Sequence, residues 1–172
     1  MAIIETLLQE LEQEAQTTRR VLERVPGDQL GWKPHEKSMS LGQLALHIAT
    51  VPGNVAELAV RPGIDSPPDF IQPAARTAGE LLPALEASLA RAKAALGGLD
   101  DRQAMEMWTL KNGDQVVMSM PRAALLRAIM LNHWYHHRGQ LSVYLRQLNV
   151  AVPSIYGPSA DENPFARAVA TA

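Results

Sequence analysis

Three of the chain's five histidines lie between residues 133 and 137, and two of them have the spacing of a metal-binding pair. His133 and His137 stand four residues apart, which on an α-helix places both imidazoles on one face with Cβ atoms roughly 5–6 Å apart. One metal ion can then lie about 2.0–2.1 Å from a ring nitrogen of each side chain. His136 falls at the edge of the same face, so an i, i+3 pair of His133 with His136 is a geometric alternative.

On a helical wheel, this pair of histidines lies near the middle of an apolar stripe. At about 100° per residue, an arc of roughly 120° also contains Leu126, Ile129, Met130, Gln140, Tyr144 and Leu148. An imidazole buried there without partners would lose its hydrogen bonds to water, so the pair needs an explanation. Hydrogen-bonded core histidines and metal ligands both satisfy this requirement, and the spacing alone favours neither.

A third histidine, His47, changes the balance. Residues 40–43, Ser-Leu-Gly-Gln, match a capping box and predict the start of a helix. The apolar stripe of this helix carries Leu44, His47, Ile48 and Val51. A single histidine on such a face is usually a hydrogen-bonded core residue, but beside His133 and His137 it is the natural third ligand. Three neutral imidazoles and an open position form a catalytic Zn²⁺ site, and other divalent first-row metals also bind nitrogen ligands.

Two polar residues near the pair have weaker predicted roles. Gln140 shares the histidine face one turn further on, where it can contact a substrate or orient a metal ligand. A packed or cap-bonded amide is the alternative for Gln140. Arg138 points about 140° away from His133 on the wheel, which predicts a salt bridge or a subunit contact rather than a place at the site.

The carboxylates offer no clear general base. Glu10, Glu12 and Glu14 recur on the first amphipathic helix and are predicted to form its solvated face. Glu57 is a remote candidate for a base. Hydrolysis assisted by a carboxylate is therefore the weaker chemical prediction.

Composition excludes several classes of protein. The chain has 172 residues, 47% of them hydrophobic, and a net charge of −2, which gives no electrostatic case for binding nucleic acid or an anionic membrane. No apolar run approaches the roughly 20 residues that span a bilayer, and charges from Glu5 onward do not fit a signal peptide. The chain has no cysteine, which removes disulfides and sulfur ligands. We expect a cytoplasmic protein.

Periodicity predicts an all-α fold in a single domain over residues 1–172. Four amphipathic helices are expected over about 2–25, 40–60, 77–96 and 122–148, and together they indicate a four-helix bundle. The dipeptide Asn112-Gly113 predicts a small β-hairpin, or a tight turn, before the last helix. Residues 61–75 are rich in proline and are predicted to be a long loop, and the tail from about residue 157 is predicted to pack loosely.

Two motifs resemble those of the DinB/YfiT-like metalloprotein superfamily, which is unrelated to the DNA polymerase of similar name. The first is Trp-Lys-Pro-His-Glu-Lys-Ser-Met-Ser-Leu-Gly-Gln-Leu-Ala-Leu-His at 32–47. The second is His-His-Arg-Gly-Gln-Leu-Ser-Val-Tyr-Leu-Arg at 136–146, preceded by His133, and residues 152–159 are similar to the tail of a DinB subgroup. The resemblance implies an up-down-down-up bundle, a homodimer, and zinc, nickel or manganese bound by His47, His133 and His137.

The resemblance also implies a chemistry. Characterised relatives include metal-dependent thiol S-transferases that use bacillithiol or mycothiol, and a mycothiol-dependent maleylpyruvate isomerase. A low-molecular-weight thiol bound at the open metal position would be held as the thiolate, which attacks an electrophilic small molecule. The alternatives are a metal-dependent hydrolase that uses metal-bound hydroxide, a metal-binding or stress-related bundle without turnover, and a bundle with structural histidines.

Overall fold

The computed structural model describes residues 2–66 and 71–166, and in these ranges the chain is mostly helical with a small sheet. The helices are α1 (Ile3–Leu22), α2 (Leu41–Ala59), α3 (Leu81–Leu96), the short α4 (Asp101–Ala104) and α5 (Arg122–Leu125), a π-helix (Leu126–Asn132), and α6 (His133–Gln147). The last three are consecutive, so residues 122–147 form one continuous helix. The described helices include none that is long and apolar enough to cross a membrane.

The sheet is larger than predicted. Strands β2 (Met107–Asn112) and β3 (Gln115–Pro121) form the predicted antiparallel hairpin, and Gly113 makes the turn with a φ of 58°, which glycine adopts without strain. A third strand, β1 (Gly63–Asp65), pairs in parallel with β2. The prediction of a loop was wrong there, because a strand of three residues has too little alternation to recognise. Residues 67–70 of that loop lie outside the described residues.

A capping box starts α2 and so places His47 two turns into the helix. The Gln43 N–H donates to Ser40 Oγ at 3.2 Å, and the Ser40 N–H donates to Gln43 Oε1 at 2.8 Å. The predicted capping box is therefore confirmed. It satisfies two backbone donors at the first turn and fixes where the helical phase of α2 begins.

A proline inside α2 creates a contact with α6. Pro52 has no N–H, so the carbonyl of Ile48 lacks its usual intrahelical donor. The indole N–H of Trp134 donates to this carbonyl at 2.8 Å, and Ile48 and Trp134 are both completely buried. Since Ile48 follows His47 and Trp134 follows His133, this hydrogen bond holds the two histidine-bearing helices together beside the histidines.

The opposite side of α6 contains a buried ion pair. Arg138 is only 1% exposed, and its guanidinium donates to the Glu14 carboxylate at 2.5 Å and to Thr18 Oγ1 at 3.0 Å. The predicted salt bridge of Arg138 is thus confirmed, whereas the predicted solvated position of Glu14 is wrong. Glu10 is also paired, at 2.6 Å from Arg127. Wheel positions on α1 do not reveal that these carboxylates face cations on the last helix.

The carboxyl-terminal segment makes specific contacts along its described part. Asp161 accepts a hydrogen bond from the Val152 N–H at 2.8 Å, and Glu162 accepts one from the Ser154 N–H at 3.0 Å. Tyr156 donates to the Glu14 carboxylate at 2.9 Å and so reaches the buried ion pair. Residues 167–172 of the predicted loose tail lie outside the described residues.

Candidate metal centre

The three predicted histidines come together between α2 and α6. One ligand nitrogen from each of His47, His133 and His137 lies within 4.8 Å of the others, and the Nε2 atoms of His47 and His133 are 3.0 Å apart. Two nitrogens that bind one tetrahedral metal at about 2.0–2.1 Å lie roughly 3.3 Å apart. This pair therefore has almost the spacing that a bound metal ion requires, and the three histidines together can hold one.

The imidazole rings approach one another edge to face. Their centroids lie between 4.3 and 5.2 Å apart, and the planes cross at 86°, 87° and 89°. Perpendicular planes allow each ring to direct a nitrogen toward a common point without overlapping its neighbours. Three stacked rings would direct their nitrogens past that point.

The environment keeps the three imidazoles neutral at pH 7. Burial, with the neighbouring histidines, lowers the pKa of His47 to about 4. Burial is also the largest cause that lowers the pKa values of His133 and His137. A metal binds the neutral imidazole, so a low pKa reduces the competition from protons.

Gln140 contacts one of the three histidines directly. Its Oε1 lies 2.7 Å from His137 Nδ1. An amide oxygen only accepts hydrogen bonds, so the proton of His137 is on Nδ1 and its Nε2 is free to bind a metal. Such a contact orients a ligand and fixes its tautomer.

A second glutamine, which sequence reasoning missed, lies beside His47. The Gln72 side chain opposes the lowering of the His47 pKa. The Gln43 amide, which caps α2, also donates to the Gln72 carbonyl at 3.0 Å, so one side chain both starts the helix and holds Gln72. Gln72 lies in a proline-rich connection, so no helical periodicity relates it to the site. Of these two glutamines, only Gln43 could be predicted, as part of the capping box.

The remaining histidines stand outside the cluster. His136 is exposed, and its ring lies 5.0 Å from that of His137. The cluster thus uses the i, i+4 pair rather than the i, i+3 alternative. His35 is an exposed loop residue whose Nδ1 accepts the Lys37 N–H at 3.2 Å.

A π-helix immediately before His133 changes the predicted apolar stripe. The widened turns of Leu126–Asn132 break the 100° step that the helical wheel assumed. The buried residues of α6 are Trp134, His137, Arg138, Leu141 and Leu145. His133 is half-buried and so lies at the edge of the stripe, not at its middle as predicted. The cluster is consequently within reach of solvent on the His133 side.

A comparison with protein families identifies the family of this chain. A family model described as the DinB family matches residues 1–164. The uncharacterized protein YrdA of Bacillus subtilis (strain 168) is 46% identical over 43 residues, an alignment that covers 25% of this chain and 25% of YrdA.

Solved structures support the same fold. A DinB-like protein from Bacillus cereus ATCC 10987 superposes with a TM-score of 0.67 at 24% identity, covering 88% of this chain and 97% of that protein. The DinB-like protein YjoA from Bacillus subtilis gives a TM-score of 0.62 at 21% identity, covering 84% and 92% of the two chains. These structures bear on the fold and not on the reaction.

Proposed function

This chain belongs to the DinB family, and we propose that its three-histidine cluster binds a divalent metal ion that activates a low-molecular-weight thiol for attack on an electrophilic small molecule. The convergence of His47, His133 and His137 carries the proposal. A divalent cation with an open coordination position lowers the pKa of a bound thiol and so supplies the thiolate nucleophile. Zinc, nickel and manganese are the candidates, since each accepts imidazole nitrogen.

The side chains around the cluster support a transfer reaction of this kind. Gln140 holds His137 in the tautomer that leaves Nε2 free, and burial keeps the imidazoles unprotonated. The chain has no cysteine, so the sulfur nucleophile must come from a separate molecule. In the transfer, the thiol proton is lost to solvent, sulfur bonds to the electrophilic carbon, and the displaced electron pair leaves with the leaving group.

Hydrolysis receives less support from the site. The cluster that the described residues form contains imidazoles only, and Glu57, the remote candidate base, is paired with Arg91 at 2.9 Å. A thiolate needs no such base. Thiol-dependent conjugation distinguishes an enzyme from the non-catalytic alternative, a metal-binding or stress-related protein.

We also propose the up-down-down-up four-helix bundle that the family resemblance implies. Contacts between α2 and α3 rise together in residue number, as in a parallel pair: Gly53 with Ser88 and Glu57 with Arg91. Contacts between α2 and the last helix run in opposite order: Ile48 with Trp134 and Ala59 with Arg122. Both orders support this topology. A cytoplasmic homodimer is expected from the same resemblance.

Metal analysis tests the site. Purified protein should be loaded separately with zinc, nickel and manganese, and bound metal measured for wild type and for His47→Ala, His133→Ala and His137→Ala. The control is His35→Ala, an exposed histidine away from the cluster. We expect near-stoichiometric metal in wild type and control, and its loss in the three cluster variants with helical content retained. Wild type that binds none of the three metals would show that the histidines are structural.

Thiol-dependent conjugation then tests the reaction. Metal-loaded protein is assayed with iodoacetamide as the electrophile and a panel of low-molecular-weight thiols that includes bacillithiol and mycothiol. We expect thioether formation above the spontaneous rate for at least one thiol, lost in His137→Ala. Metal binding without turnover for any thiol would favour the non-catalytic alternative.

A further inference from the structure

An apolar cavity of about 190 Å³ lies between α2, the sheet and the first part of the last helix. Its walls include Val55 and Leu58 from α2, Trp108 and Met118 from the hairpin, and Leu125 and Ile129 from the last helix. Four of these six side chains are only half-buried. The cavity is therefore open to solvent and is not a sealed packing defect.

The polar groups next to the cavity are occupied elsewhere. The Trp108 indole N–H, the polar atom of the largest wall residue, donates to the Leu58 carbonyl at 3.0 Å. Arg122 donates to the next carbonyl, that of Ala59, at 2.9 Å. A water molecule needs two to four polar partners to be stable in a cavity, and these walls are apolar. The site consequently favours an apolar group over water.

The two helices that carry the histidine cluster also form walls of the cavity. Ile129 precedes His133 by four residues on the last helix. Val55 follows His47 by eight residues on α2, which is about 12 Å along the helix axis. The cavity and the cluster therefore lie on the same pair of helices, within a distance that one small molecule can span.

We propose that this cavity binds an apolar, ring-sized group of a small molecule and, resting on the proposed function, that this group belongs to the electrophilic substrate. Its size supports a ring, because an apolar cavity of about 150 Å³ accommodates one benzene molecule. Met118 is a flexible side chain that can adjust to ring substituents. The substrate class is therefore an electrophile that carries an aryl or similar apolar group close to its reactive carbon.

Binding of toluene tests the cavity without any metal. Methyl NMR spectra of the metal-free full chain should show shifts of Leu58, Leu125 and Ile129 on addition of toluene. Toluene that leaves these methyl signals unchanged would overturn the proposal.

A matched pair of substitutions locates the binding. Val55→Trp fills the cavity and should abolish the toluene response. Val143→Trp, at a position 55% exposed on α6, makes the same change away from the cavity and should leave that response intact. Equal toluene binding by wild type and Val55→Trp would refute the assignment of the cavity.

A separate assay tests whether the group in the cavity belongs to the electrophilic substrate. N-benzyliodoacetamide and iodoacetamide share a reactive carbon and differ by one benzyl ring. In metal-loaded protein, Val55→Trp should raise KM for the benzyl compound at least tenfold more than for iodoacetamide. An equal change of KM for both compounds would show that the cavity does not bind the ring of the substrate. Failure to bind metal would end the proposed function instead, and the toluene experiment would still decide the cavity.

Discussion

Replacing Trp134 with phenylalanine should weaken the contact between the two helices that carry the histidines. The variant keeps an aromatic ring but removes the N–H that bonds to the Ile48 carbonyl at 2.8 Å. Pro52 supplies no alternative donor, and both residues of the bond are completely buried. An acceptor buried without a partner costs about 1–3 kcal/mol, so Trp134→Phe should lower the free energy of unfolding by at least that amount, with a further loss from the smaller ring.

A second substitution isolates the hydrogen bond from the change in packing. Pro52→Ala gives α2 a backbone N–H where the Ile48 carbonyl can accept it. In wild type that carbonyl is already bonded to Trp134, so little is gained, but in Trp134→Phe the new donor should restore about 1–3 kcal/mol. The effect of proline on the unfolded chain is the same in both backgrounds and cancels in the double-mutant cycle.

Urea unfolding of the four metal-free proteins at neutral pH, followed by circular dichroism, measures this coupling. A coupling energy below about 0.5 kcal/mol would refute the reasoning, because such values are normal for independent sites. Metal affinity measured against a competing chelator is the second readout. Trp134→Phe should weaken metal binding and the double variant should recover it, since Trp134 and Ile48 directly follow His133 and His47. An unchanged metal affinity with a large coupling energy would show that the hydrogen bond between Trp134 and Ile48 contributes to stability only.

Three further outcomes are expected. Glu14→Gln leaves the buried Arg138 charge without its carboxylate, so unfolding free energy should fall by about 3–5 kcal/mol in urea, and an unchanged value would contradict the buried pair. Metal-free protein should lose stability as the pH falls from about 6.5 toward 4, because the pKa of folded His47 is about 4 and the unfolded chain binds the proton first; a flat stability curve across this range would refute that. Gln140→Leu should weaken metal binding about 10–100-fold with helical content intact, whereas Gln140→Glu, which keeps an acceptor for His137, should bind metal more tightly than Gln140→Leu.

Local sequence signals predicted which face of each helix carries its histidines, while the meeting of the two helices was an inference from the bundle fold and the family resemblance. The i, i+4 spacing of His133 and His137 is a property of one helix, and the capping box fixes the phase of α2 from its first turn. These two predictions do not depend on how the rest of the chain folds. Gln140 was recognisable for the same reason, because it lies three residues from His137 on the same helix.

Features that depend on distant partners were not predictable. Strand β1 exists because β2 offers it a parallel edge, and Gly63 permits the close approach: a Cβ at that position would lie 2.3 Å from the Thr109 carbonyl oxygen. Gln72, which affects the pKa of His47, lies in a proline-rich connection with no periodicity. The π-helix changes the phase of residues 126–132 relative to α6, which a helical wheel with regular turns does not represent. The wheel also centred the apolar stripe on His133, whereas the buried residues of α6 lie to one side of it because Trp134 and Arg138 have partners on α2 and α1.

The buried ion pair and the histidine cluster occupy neighbouring positions on α6, and the electrostatics of one bear on the other. Arg138 directly follows His137, and an uncompensated cation there would oppose a divalent ion: at about 10 Å and an effective dielectric constant of about 20, the repulsion is roughly 3 kcal/mol. The Glu14 carboxylate cancels most of this field because it lies 2.5 Å from the guanidinium. Glu14 should therefore support metal binding without touching the site. Glu14→Gln should therefore weaken metal affinity more than the double variant Glu14→Gln/Arg138→Met, because the double variant removes both charges. The opposite order of affinities would show that the ion pair acts through packing alone.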